Sequence, residues 1–206
     1  MTNSENKRVE LFKKKSDQLK ENGYMEKNAT ISMMYVYSVG LLLTLPGCAL
    51  FFYLFYVLNS EVDLEHYGIK WIIATGICFL LMFVHEFIHG ISWSHFSGKG
   101  FKTISFGFDA KKMCPYCTCS DPLEIKEYVI GALLPTIALG IIPCALSLLL
   151  GSDILLFVGI LMYAGGAGDI AVIFNLLTKR KNIKGAICMD HPQKVGLVMF
   201  YKKENV

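Results

Sequence analysis

The sequence predicts an all-α membrane protein with four transmembrane helices and a small cytoplasmic-side hairpin between helices 2 and 3. Its 206 residues are 53% hydrophobic and only 18% charged, and the mean hydropathy is +0.45. The sequence also contains long apolar runs with few or no charges, each close to the roughly 20 residues that cross a hydrocarbon core. The first observation excludes a disordered chain, and the second indicates a multi-pass membrane protein.

The first uncharged run, residues 33–58, extends over 26 positions and follows a lysine-rich arm. A cleaved signal peptide lies at the very N-terminus behind a short basic region, so this run indicates a transmembrane helix instead. Similar runs occupy about 69–93, 128–150 and 154–178. The third run contains Pro135, which removes a backbone donor and predicts, with the glycine and proline that follow, a kinked or broken helix.

Lysine and arginine indicate the orientation, because short loops rich in these residues remain in the cytoplasm. Seven of the 20 lie in an arm at 1–32, seven in a tail at 179–206, and five in the central loop at 94–127. The loop at 59–68 has none and carries three acidic residues. The sequence therefore predicts a protein of the cell membrane whose N- and C-termini are cytoplasmic and flank a transmembrane domain at 33–178.

The arm is amphipathic, with Val9, Phe12, Leu19 and Tyr24 spaced among mixed charges. This pattern predicts a short cytoplasmic helix on the lipid headgroups, and the alternative is a regulatory or substrate-binding role. The formal net charge of +3 is too small to indicate nucleic acid as a partner, because binding to phosphates needs a dense basic face. The lipid bilayer is the first partner that the sequence predicts.

The second run contains three ionisable residues, His85, Glu86 and His89, in the pattern HExxH. Each costs at least a few kcal/mol at membrane depth, so the three together indicate a functional site. Helix positions i and i+4 lie about 5–6 Å apart on one face, which lets both histidines bind one metal ion. Glu86 is then placed to hold a water molecule as the catalytic base. The alternative is a set of polar side chains that hydrogen-bond neighbouring helices.

A catalytic zinc ion normally takes three protein ligands, and the third candidate is Asp169, a lone carboxylate in the fourth run. Counted from the outer ends of their runs, His85 and Asp169 differ by one residue, or about 1.5 Å of depth. The sequence therefore predicts a Zn²⁺ site of His85, His89 and Asp169, with iron or cobalt as alternative metals. Otherwise Asp169 pairs with a lysine or caps a broken helix. The histidines outside these runs are His66, His95 and His191.

Residues 103–108 of the central loop alternate small or polar with large apolar side chains, which is the period of a strand. This predicts one arm of a hairpin that continues to Cys114. An exposed edge there could hold a substrate as an added strand, with Thr103, Ser105 and Gly107 in contact with it. The alternative is a hairpin that only plugs the helix bundle.

A cysteine cluster, Cys114, Cys117 and Cys119, follows in the segment CPYCTC. Three interpretations remain open, namely free thiols in a compact turn, a second metal site, and a redox-sensing pair. Structural disulfides are rare in the reducing cytoplasm, where this loop is predicted to lie.

These segments resemble a bacterial family of small membrane proteins described as zincin peptidases, and in pattern the site-two type of intramembrane metalloprotease. The resemblance covers about residues 70–200. It is carried by HEFIHG at 85–90, CSDPL at 119–123, Leu134-Pro135, GGAGDI at 165–170 and DHPQKVG at 190–196.

The resemblance implies a zinc-dependent endopeptidase that hydrolyses peptide bonds of a membrane protein or membrane-associated peptide at the cytoplasmic side. The alternative is a catalytically silent metal-binding scaffold or sensor in the membrane. Glu86 favours the enzyme, because a pure metal binder has no need of a carboxylate beside its ligand.

Overall fold

The structure is a computed structural model that describes residues 3–59, 67–109, 114–180, 183 and 185–202. The helices are α1 (Asn3–Glu21), α2 (Met33–Leu58), α3 (Tyr67–Phe96), α4 (Ile125–Leu150), α5 (Asp153–Gly165) and α6 (Ala167–Lys179). The strands are β1 (Tyr24–Thr30), β2 (Ile104–Asp109), β3 (Cys114–Cys119), β4 (Leu123–Glu124), β5 (Ile187–Asp190) and β6 (Gly196–Lys202).

Three helices, α2, α3 and α4, are each long and apolar enough to cross a membrane. Helices α5 and α6 pass the same test only as a pair, bent by 40° at Gly166. The third predicted run forms one helix that is not broken at Pro135, but it contains a π-helical turn, Thr136–Ile141, directly after that residue. The acidic loop with Glu61, Asp63, Glu65 and His66 lies outside the described residues.

A four-stranded antiparallel sheet, in the order β1-β6-β5-β4, was not predicted and corrects the all-α class. The protein is mostly helical, but its arm and tail pair directly, from Tyr24 opposite Lys202 to Thr30 opposite Gly196. The tail strand GLVMFYK is rich in branched and aromatic residues that favour strands. Its partner lies at the other end of the chain, so neither segment alone predicts the sheet.

Helix α1 covers one face of this sheet. Its Phe12 and Leu19 pack, with Tyr24, against Met189, Val198 and Phe200. Lys15 anchors the same helix, because its Nζ donates to the Ser120 carbonyl over 2.8 Å and pairs with the Asp121 carboxylate. The sheet therefore occupies the apolar face of the arm, where the sequence predicted lipid headgroups.

A hairpin is present as β2 and β3, with Ser105 opposite Thr118 and Gly107 opposite Tyr116, but its second strand begins at Cys114, where the predicted hairpin ends. Pro115 has no N–H, so its pair with Phe108 makes no ladder bond and its nitrogen faces away from β2. Because direction alternates along a strand, the amides of Cys117 and Cys119 also face away from β2. The outer edge of β3 therefore presents two amides to whatever lies beside it.

Candidate metal centre

Three side chains from two helices converge below the hairpin. Helix α3 carries His85 and His89 one turn apart, and the first turn of α6 carries Asp169. The Asp169 Oδ2 atom lies 3.1 Å from His85 Nε2 and 3.4 Å from His89 Nε2. One ligand atom from each of the three lies within 4.8 Å of the others. The two described partners of this carboxylate are therefore the two predicted metal-binding histidines.

This group, His85, His89 and Asp169, fits a zinc ion. Bonds from zinc to nitrogen or oxygen are about 2.0–2.1 Å, so tetrahedral ligand atoms lie about 3.3 Å apart. The two separations to Asp169 are close to that value. Two imidazoles and one carboxylate are also the donor set of catalytic zinc sites that keep a fourth position open. Within the described ranges, no other group of three histidine, cysteine or acidic residues comes together in this way.

The bend at Gly166 brings Asp169 to the histidines. Glycine has low helix propensity, and the stretch GGAG lets α5 end and α6 begin in a new direction. A Cβ on Gly166 would overlap the Thr136 hydroxyl of α4, so only glycine allows this approach. The hydroxyl is buried and has no hydrogen-bond partner. The start of α6 is thus packed against α4 without a side chain between them.

Gly166→Ala is expected to weaken zinc binding and to destabilise the fold by about 1–3 kcal/mol, the usual cost of overpacking. The added methyl group must displace Thr136 or move the start of α6 with its carboxylate. The matched control is Gly165→Ala, since a Cβ on that neighbouring glycine meets nothing within 4 Å. Chelator competition and thermal unfolding in detergent measure both effects. Equal behaviour of the two variants would contradict the role of the bend.

Two contacts fix the imidazole ring of His89, a hydrogen bond at one ring nitrogen and an indole stacked on one face of the ring. Its Nδ1 lies 2.8 Å from the Gly131 carbonyl oxygen, and its ring stacks on Trp93 at 4.9 Å and 13°. The Trp93 Nε1 donates in turn to the Tyr128 carbonyl oxygen over 3.2 Å. Because a carbonyl oxygen only accepts, the His89 proton lies on Nδ1 and the Nε2 lone pair faces Asp169. This is the tautomer that a metal ion at Nε2 requires.

Glu86 lies between this group and the hairpin. The Cys117 amide, one of the two on the outer edge of β3, faces the Glu86 carboxylate closely enough to stabilise its negative charge. His89, His85 and Asp169 are among the titratable groups around it. The backbone of the hairpin thus orients the predicted catalytic base beside the three candidate ligands.

The second outward amide of β3, that of Cys119, donates to Asp190 Oδ2 over 2.8 Å. The Tyr128 hydroxyl donates to Asp190 Oδ1, also over 2.8 Å. Burial raises the pKa of the Asp190 carboxyl to about 6. Asp190 thereby connects the sheet, the hairpin and α4. The sequence around Asp190 indicates no role for it beyond the matching DHPQKVG segment, because nothing local predicts its partners.

The predicted substrate-contact residues all lie in or beside the hairpin. The Thr103 side chain is buried, donates to the Gly100 carbonyl and lies 2.7 Å from the Ser97 hydroxyl. Ser105 and Gly107 direct their backbone groups to β3, and a Cβ on Gly107 would overlap the Tyr116 ring. The structure does not bring these three residues to the histidines, and their contact with substrate stays a prediction.

The cysteine cluster is divided by its strand. Alternation along β3 places Cys117 and Cys119 on the buried face and Cys114 on the exposed face. Burial raises the pKa of the Cys119 thiol to about 11, and that of Cys117 further still. The seven cysteines of the chain form no disulfide. The strand therefore separates Cys114 from the other two cysteines, which disfavours a metal ion shared by all three thiols.

Comparison with protein families matches residues 78–184 to the family DUF3267, described as "Putative zincin peptidase". No curated protein and no solved structure matched the chain. The matched segment runs from the middle of α3 through α6 and includes the HExxH motif and Asp169. It covers just over half of the 206 residues. The chain therefore belongs to this zincin peptidase family.

Proposed function

We propose that this protein is a zinc-dependent intramembrane endopeptidase that cleaves membrane-associated substrates near the cytoplasmic side. One observation carries the proposal: His85, His89 and Asp169 converge within 4.8 Å, and Glu86 lies beside them. Zinc bound there supplies Lewis-acid activation of water and of the scissile carbonyl. The alternative, a silent metal-binding scaffold, requires the same three ligands but no base.

The residues of the chain have separate tasks in this proposal. His85 and His89 present neutral nitrogens, and Asp169 adds one negative charge, which leaves a net positive zinc site. Glu86 accepts the proton of the attacking water and returns it to the leaving amine. The Cys117 amide limits the orientations of that carboxylate before substrate arrives. Because a transmembrane helix hides its carbonyl groups in hydrogen bonds, the substrate must be locally extended before cleavage.

The outer edge of β2 suits an extended substrate. The ladder with β3 uses Ser105 and Gly107, so the backbone groups of Phe106 and Phe108 point away from β3. A substrate strand paired there would lie along Thr103, Ser105 and Gly107, the predicted contacts.

Phe108→Pro removes one outward amide and no ladder bond. We expect it to slow cleavage without weakening zinc binding; unchanged cleavage would contradict this placement.

The sheet supports four membrane crossings with both termini in the cytoplasm. Strand β1 precedes α2, β4 precedes α4, and β5 and β6 follow α6, so these points lie on one side of the membrane. The hairpin after α3 lies on that side as well, because Cys119 bonds Asp190 of the sheet. A chain that returns to its starting side crosses an even number of times, which makes the bent pair α5–α6 the fourth crossing.

Reporter fusions test this topology. A fluorescent protein that folds only in the cytoplasm should be bright at either terminus, because both ends of the chain meet in one sheet. Alkaline phosphatase, active only outside, should be inactive at both. Phosphatase activity at the C-terminus alone would indicate three crossings and contradict the proposal.

Metal removal tests the chemistry. The purified protein, reconstituted in vesicles with a panel of single-span membrane proteins, should release fragments that mass spectrometry detects. A zinc chelator should abolish the cleavage, and added zinc should restore it, since three side chains alone cannot activate water and carbonyl together. Cleavage that persists after the metal has been removed would contradict a zinc peptidase.

A further inference from the structure

We infer that Pro135 is a positioning residue of the zinc site, because it leaves the Gly131 carbonyl free to accept the hydrogen bond from His89. The inference rests on the proposed function only in taking His89 as a zinc ligand. Pro135 does not touch the reacting atoms, and it acts through a backbone oxygen and an imidazole ring.

Helix geometry identifies the free carbonyl. In an α-helix the carbonyl of residue i accepts from the amide of residue i+4, and four residues after Gly131 stands Pro135, which has no amide hydrogen. The next amide, that of Thr136, bonds the Leu133 carbonyl instead. Helix α4 therefore offers the Gly131 oxygen neither of these donors. The structure supplies one from outside the helix, His89 Nδ1 at 2.8 Å.

The surroundings make this bond consequential. His89 is only 3% exposed, so water does not replace a lost partner, and leaving a buried polar group without one is unfavourable. Gly131 also has no Cβ, and the space that a Cβ would need is filled by the Trp93 indole that stacks on His89. Gly131 and Pro135 thus both support the bond from His89 to the Gly131 carbonyl. The missing Cβ of Gly131 leaves space for the Trp93 indole that stacks on His89, and the missing N–H of Pro135 leaves the carbonyl oxygen without its helical donor.

An amide restored at position 135 would compete with His89 Nδ1 for the Gly131 carbonyl oxygen. An alanine at position 135 can donate its N–H to Gly131, and the carbonyl then no longer holds the His89 proton on Nδ1 with the same strength. The Nε2 lone pair faces Asp169 for a smaller fraction of the time. Loss of such an outer hydrogen bond typically lowers metal affinity about 10- to 100-fold.

The test compares three variants of the full chain in detergent. Pro135→Ala is expected to lower zinc affinity about 10- to 100-fold, measured by chelator competition. The α-hydroxy analogue of alanine at position 135 has the same side chain but an ester oxygen in place of the N–H, and should bind zinc nearly as well as wild type. Pro143→Ala, in the same helix, is the control, because no described side chain donates to the carbonyl of Leu139 four residues before it. It should leave zinc affinity unchanged.

Nitrogen-15 spectra of the imidazoles give a second measurement that needs only wild-type protein. His89 should be protonated at Nδ1 and metal-bound at Nε2, and the opposite tautomer overturns the inference even if Pro135→Ala does not fold. Equal zinc affinity of Pro135→Ala and wild type, or an equal loss in Pro143→Ala, also overturns it. A wild-type protein that binds no zinc contradicts the proposed function as well, whereas zinc binding without these differences contradicts this inference alone.

Discussion

Glu86→Gln is expected to bind zinc within about threefold of wild type and to cleave peptide bonds at least about 10³-fold more slowly. Glutamine has nearly the same shape and still presents an oxygen toward the Cys117 amide, so the hairpin stays in place. It cannot take a proton from water at neutral pH. The three candidate ligands, His85, His89 and Asp169, are unchanged, and the metal therefore remains.

Metal analysis of the purified protein and the vesicle cleavage assay measure the two expectations separately. Glu10→Gln is a matched control, because it is the same substitution at an exposed position of α1. Retained zinc with lost cleavage supports the enzyme. Loss of zinc in Glu86→Gln would mean that this carboxylate is itself a ligand. Binding of zinc by a wild type that cleaves nothing in the panel would favour the scaffold.

The candidate ligands could be predicted because their signals are local. HExxH places His85 and His89 on one helix face by spacing alone, and a lone carboxylate stands out in an apolar run. The depth estimate that linked Asp169 to His85 needs only the helix rise. The structure places their side chains 3.1 Å apart. Each of these steps uses information that lies within one segment or in the lengths of two.

The parts that were not predicted depend on pairing between distant segments. Strands β1 and β6 lie at opposite ends of the chain, and no turn or repeat connects them. The backbone groups of the site, the Cys117 amide and the Gly131 carbonyl, leave no mark in the residue type at their own positions. Pro135 did predict an irregular helix, and its position even identifies Gly131 as the unpaired carbonyl. That His89 would fill the gap depends on how α3 packs against α4.

The bend between α5 and α6 also depends on packing against another segment, so the sequence of the bend alone does not predict it. The sequence predicts one transmembrane segment for 154–178 and does not locate a bend within it. In the structure the glycines around residue 166 end one helix and begin another, which brings Asp169 into the first turn of α6. The close approach of Gly166 to Thr136 on α4 depends on how these two helices pack, which the glycine-rich stretch alone does not predict.

Asp169→Asn is expected to lower zinc affinity by a few hundred-fold and to abolish cleavage. Structural zinc sites bind with about 10–16 kcal/mol over four ligands, so one ligand is worth about 2.5–4 kcal/mol. Asparagine keeps the shape of the side chain but loses the negative charge and most of its strength as a zinc ligand. The start of α6 should therefore stay in place while the metal is lost.

Asp153→Asn is the matched control, because Asp153 occupies the equivalent first turn of α5 and its carboxylate accepts only from the adjacent Ile154 amide among the bonds described. Chelator competition on both variants separates loss of a ligand from loss of a helix-terminal charge. If Asp169→Asn binds zinc as tightly as wild type, the third ligand is a different residue. Glu86 is then the candidate ligand, and a site that uses it as a ligand has no base left for hydrolysis, so that result would favour the scaffold over the enzyme.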